Sequence, residues 1–284
     1  MDILQLPENF INTKNTIPDL FVFDYIMTTD IVNRKANVNL NLFSFLQTGQ
    51  KKINFADTSI TINENQSVLI KPGNCLFTEL LLEEQTYFCK LFFFSQNSLE
   101  SFFLKHKNSF NFSIKKNHSE IPFFIIENDN YIKSFIQSLS TIMTIESEFS
   151  QELFMVKFEE ILLYLIFKYE QSFIDYLHSL ITHENKTSFK TVIENNAISN
   201  LKIEEIAFLC NRSLSTFKRH FITEFQETPG RWIQRKRLLC AKEQLEHKKC
   251  KPSDIYIDIG YTNYSNFSTA FKNEFGINPK EIQK

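Results

Sequence analysis

No stretch of this 284-residue chain approaches the ~20 consecutive apolar residues of a membrane-spanning helix; its most apolar segments, LFFF at 91–94 and EEILLYLIF at 159–167, are far shorter. The amino terminus, MDILQLPENF, carries acids where a secretory signal has basic residues, and no long apolar run follows, so a cytoplasmic protein without membrane contact is expected. Histidine is missing from residues 1–105; the six histidines stand at 106, 118, 178, 183, 220 and 247. An imidazole-bound iron or manganese site cannot be assembled in that region, and neither a metal nor another cofactor is expected. Five cysteines, at 75, 89, 210, 240 and 250, form no CxxC pair. An odd count without that spacing argues against a disulfide framework and a zinc ribbon, leaving small buried residues as the main reading and a redox pair of Cys75 with Cys89 as a minor one.

What is present is a soluble, globular balance of 43% hydrophobic and 23% charged residues, in a length that suits about two domains. Net charge is only −2, but from Lys186 onward 17 Lys and Arg face 11 Asp and Glu, whereas the preceding part has 14 against 22. A basic third joined to an acidic remainder suits a nucleic-acid-binding module on a body with another task, although a merely solvated surface would look the same.

The basic third repeats itself. NRSLSTFKRHFITEFQETP places Phe217, Phe221, Phe225 and Pro229 four residues apart; IGYTNYSNFSTAFKNEFGINP does the same with Phe267, Phe271, Phe275 and Pro279, and Ser215 and Glu224 are matched by Ser265 and Glu274. Ahead of the first copy Ile203, Ile206, Ala207 and Cys210 share one helical face, and a break at NRS separates them from the next helix, the layout of a helix-turn-helix. In the later copy Ser253 is placed to cap a short helix carrying Ile255 and Ile259, Gly260 supplies a positive φ for the turn, and Gly276 and Pro279 close the second helix. Between the copies no breaker occurs from Arg231 to about His247, which predicts a long helix with Trp232, Ile233, Leu238, Ala241 and Leu245 as its apolar stripe. Two such units on a rigid spacer can enter successive major grooves about 34 Å apart on one side of DNA.

Residues 199–283 resemble the AraC/XylS family of bacterial transcription regulators. Pro229, Trp232, Arg237 and Ala241 sit where the family's linker pattern has them, and IGYTNYSNFSTAFKNEFGINP follows its signature. The resemblance implies a DNA-binding regulator, an activator in this reading, that partners double-stranded promoter DNA and RNA polymerase as a homodimer; an enzyme is not expected. On the first recognition helix it implies that Ser215, Thr216, Lys218 and Arg219 face the groove, where Lys218 or Arg219 can bond O6 and N7 of guanine. On the second, the outward positions are Tyr264, Ser265, Asn266, Ser268 and Thr269, with no cation until Lys272, so this half is expected to bind more weakly. Phosphate contact alone is the alternative for the first helix's cations. Arg231, Arg235, Lys236 and Lys272, with Lys248, Lys249 and Lys251, are phosphate candidates or plain surface charges. Arg237 is by resemblance a structural residue of the linker helix.

Residues 20–95 hold FVFDYIM, VNLNLFSFLQTG, KKINFADTSITIN, QSVLIKPGN and TYFCKLFFF between polar turns, an antiparallel β pattern. The resemblance makes this a cupin-like barrel, with Pro72 and Gly73 ending a strand, that senses a small effector; control by a partner protein is the alternative and a cupin enzyme a distant third. Arg34, Lys35 and Lys71 could receive an effector carboxylate. Further on, 131–146 and 151–180 have helical patterning. In the second of these Phe154, Phe158, Leu162 and Leu165 form an apolar face that either pairs two subunits, as in the family, or packs within one chain. The expected fold is α+β: residues 1–181 a cupin-like antiparallel β-barrel with following helices for sensing and dimerisation, 182–188 a polar linker, and 189–284 an all-α domain of two helix-turn-helix units joined by a long linker helix.

Overall fold

A computed structural model describes residues 3–11, 17–82, 86–110, 121–145, 149–181, 187–247 and 250–282. The chain divides into two compact units, Met1–Lys186 and Thr187–Lys284. Of the expected linker, 182–188, only Thr187 and Ser188 fall among the described residues.

Ten strands build the first unit: β1 (Leu4–Leu6), β2 (Leu20–Met27), β3 (Ile31–Val38), β4 (Asn41–Thr48), β5 (Gln50–Asn54), β6 (Ser59–Asn63), β7 (Gln66–Ile70), β8 (Gly73–Leu80), β9 (Tyr87–Phe94) and β10 (Phe123–Glu127). They form two five-stranded sheets, in the orders β1-β3-β8-β5-β6 and β10-β7-β4-β9-β2. This corrects the barrel expectation. Among the described residues no ladder joins one sheet to the other, and β1 runs parallel to β3 in an otherwise antiparallel pairing. The chain crosses between sheets where β4 gives way to β5, at Gly49, whose φ is +93° and where a Cβ would lie 2.7 Å from the Leu80 carbonyl oxygen. Only glycine fits there.

The second sheet is covered on both faces, which explains why its strands read as continuous apolar runs. Successive side chains of a strand point to opposite sides. Along β4 and β9, Leu42, Leu46, Cys89, Leu91 and Phe93 therefore face the other sheet, while Phe43, Phe45, Phe92 and Phe94 face three helices. These are α1 (Gln96–His106), α2 (Asn130–Met143) and α3 (Ser150–Ile181). Asp129 caps α2 by accepting a hydrogen bond from the Ile132 amide at 3.0 Å. The α3 helix is interrupted at Glu170, where φ is 50° and ψ −131°. Phe154, Phe158, Leu162 and Leu165, expected as dimer contacts, are all buried in this core, Phe158 against the rings of Phe92, Phe94 and Phe102. That face is spent inside one chain, and a second subunit could reach it only by unpacking the helix from its sheet. Cys75 and Cys89 are buried too. Burial pushes the Cys75 thiol up to about 12 and raises that of Cys89, so neither is the ionised thiol that redox exchange uses.

The second unit is helical: α4 (Phe189–Asn196), α5 (Ile203–Leu209), α6 (Leu214–Phe225), α7 (Pro229–His247), α8 (Pro252–Ile255) and α9 (Tyr264–Phe275). Helix α8 starts two residues earlier than expected. Its N-cap is Lys251, and Ser253 lies inside the helix, bonded to the Asp254 carboxylate. The phenylalanines set four apart supply the core. Phe217 and Phe221 are fully buried, and Phe221 meets Phe225 at 4.5 Å and Trp232 of α7 at 5.7 Å. Phe267 and Phe271 join Leu238, Ala241 and Leu245 on the other end of α7.

Arg237, in the middle of α7, ties these layers together. Its guanidinium donates from Nε to the Ala197 carbonyl at 3.1 Å, from Nη1 to the Gly260 carbonyl at 2.8 Å, and from Nη2 to the Ser199 carbonyl. The first and third acceptors lead into the first helix-turn-helix; Gly260 is the turn of the second. Gly260 has φ +87°, and a Cβ there would lie 2.6 Å from the Arg237 Cζ. The guanidinium cannot yield without losing its acceptors. Arg237→Met keeps most of the stem but strands three carbonyls, and should cost the second unit about 2–4 kcal/mol. Urea unfolding followed by Trp232 fluorescence measures this, and a midpoint unchanged from the parent would show that the carbonyls find other donors.

Candidate nucleic-acid interface

The turn that presents α6 is built by the backbone. Asn211 adopts φ 54°, and the Ser213 side chain caps the helix by accepting from the Thr216 amide at 3.2 Å. At 100° per residue, burying Phe217 and Phe221 turns Arg219 to the opposite side. Ser215, Lys218 and Arg219 are exposed, whereas Thr216 is half-buried and its hydroxyl accepts from Ser213 at 2.9 Å. Lys218 stands on the flank, beside a groove lined by Leu201, Lys202, Leu214 and Gln234, so Arg219 is the cation that projects most directly outward. The same face continues one turn on to Thr223, exposed and absent from the expected set.

Helix α9 repeats the arrangement with a different cap. The Asn263 side chain accepts from the amides of Ser265 and Asn266 at 2.7 and 3.3 Å. Ser265, Asn266 and Thr269 are exposed, and Asn273 extends their face as Thr223 does on α6. Tyr264 and Ser268 are half-buried, and the Tyr264 ring packs edge-on against Tyr256 and Phe267, which makes it largely a core residue. The extra outward pair was legible, since adding four to Arg219 and to Thr269 gives it.

The phosphate candidates divide. Lys272 and Lys251 are exposed, and Lys236 is exposed with its ammonium 5.2 Å from the Trp232 ring centre. Arg231 and Arg235 share one carboxylate, Glu227, at 3.3 and 2.7 Å. Lys248 and Lys249 lie outside the described residues.

The effector candidates do not converge. Arg34 and Lys35 are neighbours on β3 and so point to opposite faces of its sheet. Arg34 donates to the Tyr25 hydroxyl at 3.4 Å, and Lys71 is nearly buried with its ammonium 5.4 Å from the Tyr176 ring. The sheets enclose a different polar group, which the sequence did not single out. Lys51 and Glu79, both buried, pair at 3.2 Å, and the Tyr25 hydroxyl donates to the other Glu79 oxygen at 2.9 Å. Burial alone would lower the Lys51 pKa, but the charge and hydrogen bond of Glu79, with smaller contributions from Cys89 and Cys75, together raise it above its ordinary value. The cavity beside this pair measures only about 10 Å³, room for no more than one water.

A family model described as the ExsA N-terminal regulatory domain matches residues 41–176, and one described as a helix-turn-helix domain matches residues 199–284. Over 170 residues the chain is 27% identical to the thermoregulatory protein LcrF of Yersinia pestis and 26% identical to the virulence regulon transcriptional activator VirF of Yersinia enterocolitica, covering 60% of this chain and 62% of each relative. The match thus spans about three fifths of the length of these curated relatives. The transcriptional activator RhaS of Mannheimia succiniciproducens is 32% identical over 91 residues, 32% of this chain and 34% of that protein. Among solved structures, apo ToxT from Vibrio cholerae aligns with 95% of this chain and 98% of its own at 14% identity and a TM-score of 0.44. The two matched segments fall in the two structural units, with the paired recognition helices inside the second; the chain belongs to the AraC/XylS family of transcription regulators, with an ExsA-like regulatory domain ahead of its helix-turn-helix units.

Proposed function

We propose that this protein is a sequence-specific activator of transcription, acting in the cytoplasm on double-stranded promoter DNA together with RNA polymerase. The observation that carries this reading is a pair of exposed helix faces, Ser215 to Thr223 and Ser265 to Asn273, joined by one α7 helix whose Arg237 bonds the segment leading into the first helix-turn-helix and the turn of the second. The two faces differ in charge, Arg219 and Lys218 on one and only Lys272 near the other. Arg219→Ala should therefore lose more affinity than Asn266→Ala. If Arg219 is bidentate to guanine, the loss is about 1–3 kcal/mol and confined to one base position. Titrations of both variants against single-base changes in the native promoter test this; equal losses would reverse the ranking of the two halves.

The regulatory unit is expected to sense a small effector, with control by a partner protein as the alternative. Native mass spectrometry of the purified chain distinguishes the two: a stoichiometric protein supports the partner, a co-purifying small molecule the effector.

The homodimer reading moves to the other side of α3. Leu153, Val156 and Phe167, which are 37%, 61% and 81% exposed, follow a spacing of three and four in which the intervening places hold Glu160, half-buried, and Leu163, which packs partly against the core. Such an outer stripe suits a coiled-coil seam with a second copy. Val156→Asp with Phe167→Asp should leave the fold intact and shift the sedimentation of a dimer to that of a monomer, whereas Leu162→Ala on the inner face should cost about 2–5 kcal/mol of stability without altering association. A double variant that sediments like the parent places the seam elsewhere.

A further inference from the structure

Five arginines lie in the second unit, and the structure engages three of them: Arg237 by carbonyls, Arg231 and Arg235 by Glu227. Among the described residues neither Arg219 nor Arg212 has a carboxylate within ion-pair distance. Arg212 occupies the turn immediately before the Ser213 cap of α6, and is exposed. Its guanidinium is not loose. It sits 5.3 Å from the ring centre of Phe189, the first residue of α4. That ring is in turn fixed by α6, with Phe217 at 5.5 Å and His220 at 4.2 Å.

A guanidinium lying over an aromatic ring uses its face for the contact and keeps the N–H donors of its edge for other acceptors. Arg212 is thus a cation held in place at the leading end of the recognition helix, with hydrogen-bonding capacity unspent. The equivalent position fifty residues later is Thr262, so only the first half of the repeat has this device.

We propose that Arg212 is a DNA phosphate anchor for the first recognition helix, and that Phe189 is its positioning residue. The assignment rests on the DNA-binding reading above. The turn ahead of a recognition helix passes the sugar-phosphate backbone as the helix enters the groove, and a cation there fixes register without reading bases. Helix α4 then has a task beyond packing, because the segment that opens the second unit sets the position of a DNA contact.

The test uses the full chain and a labelled random-sequence duplex of about thirty base pairs, three helical turns, titrated across a series of salt concentrations. Phosphate contacts are independent of sequence, so no promoter is needed. Arg212→Gln should weaken binding and lower the slope of log affinity against log salt by about one. Phe189→Leu, which keeps apolar bulk but removes the ring, should weaken binding severalfold in the parent and not in the Arg212→Gln background; Phe189→Tyr should restore it. Thermal unfolding of each variant identifies losses due to instability. A parent that binds while Arg212→Gln keeps its affinity and salt slope overturns the anchor but leaves the DNA-binding reading standing. A Phe189→Leu loss that persists in the Arg212→Gln background overturns the positioning role. No binding by the folded parent at low salt overturns the DNA-binding reading itself.

Discussion

One guanidinium sets the geometry on which recognition depends. Arg237 bonds three carbonyls, two in the segment that leads into the first helix-turn-helix and one in the turn of the second. Because the guanidinium is planar and its donors diverge in fixed directions, it fixes the segment at Ala197 to Ser199 relative to the Gly260 turn. A lysine could satisfy some of these acceptors in some order, but would not define their angles. The requirement spreads outward. Gly260 must be glycine because the guanidinium passes under it, and α7 must be unbroken because it carries the arginine midway between the two aromatic clusters.

In the first unit the corresponding constraint is burial on both sides of one sheet. Phe43, Phe45, Phe92 and Phe94 need the helices as cover, and α3 supplies most of it with its inner face. Each buried ring contributes about 1.5–3 kcal/mol through the apolar area it removes from water, so the helices are as necessary to the sheet as the sheet is to them. This leaves α3 with two apolar faces of opposite standing, one committed and one open to water.

The double helix-turn-helix was legible in the sequence because glycine, proline and phenylalanine mark it at fixed intervals. Pro229, Gly260, Gly276 and the fourfold spacing of Phe217 to Phe225 and Phe267 to Phe275 each have a backbone or packing cause. The outward faces followed from them by subtraction. The sheet unit was less legible. Periodicity shows that Phe158 and Leu162 share an apolar face but not what covers it, and a helix apolar on more than one side leaves the choice open. Strand β3, IVNRKANV, was missed as a strand in its own right because Asn33, Arg34, Lys35 and Asn37 interrupt its apolar pattern, although Ala36 and Val38 face the core. Closure of the barrel depends on hydrogen bonds between particular edges, which no local pattern encodes. The Lys51 and Glu79 pair escaped notice because residues 28 apart in sequence meet only once β5 and β8 are neighbours.

The unequal halves of the repeat have a consequence for genome architecture. On the proposed reading each copy of the chain carries two dissimilar faces in fixed order, the first with Lys218 and Arg219 and the second with Lys272 alone, so the stretch of DNA that one copy takes has a head and a tail. Inverting that stretch would turn that copy end for end and aim its other surfaces at the wrong side of the promoter. Orientation, and not distance alone, then becomes part of what evolution must preserve at each target gene.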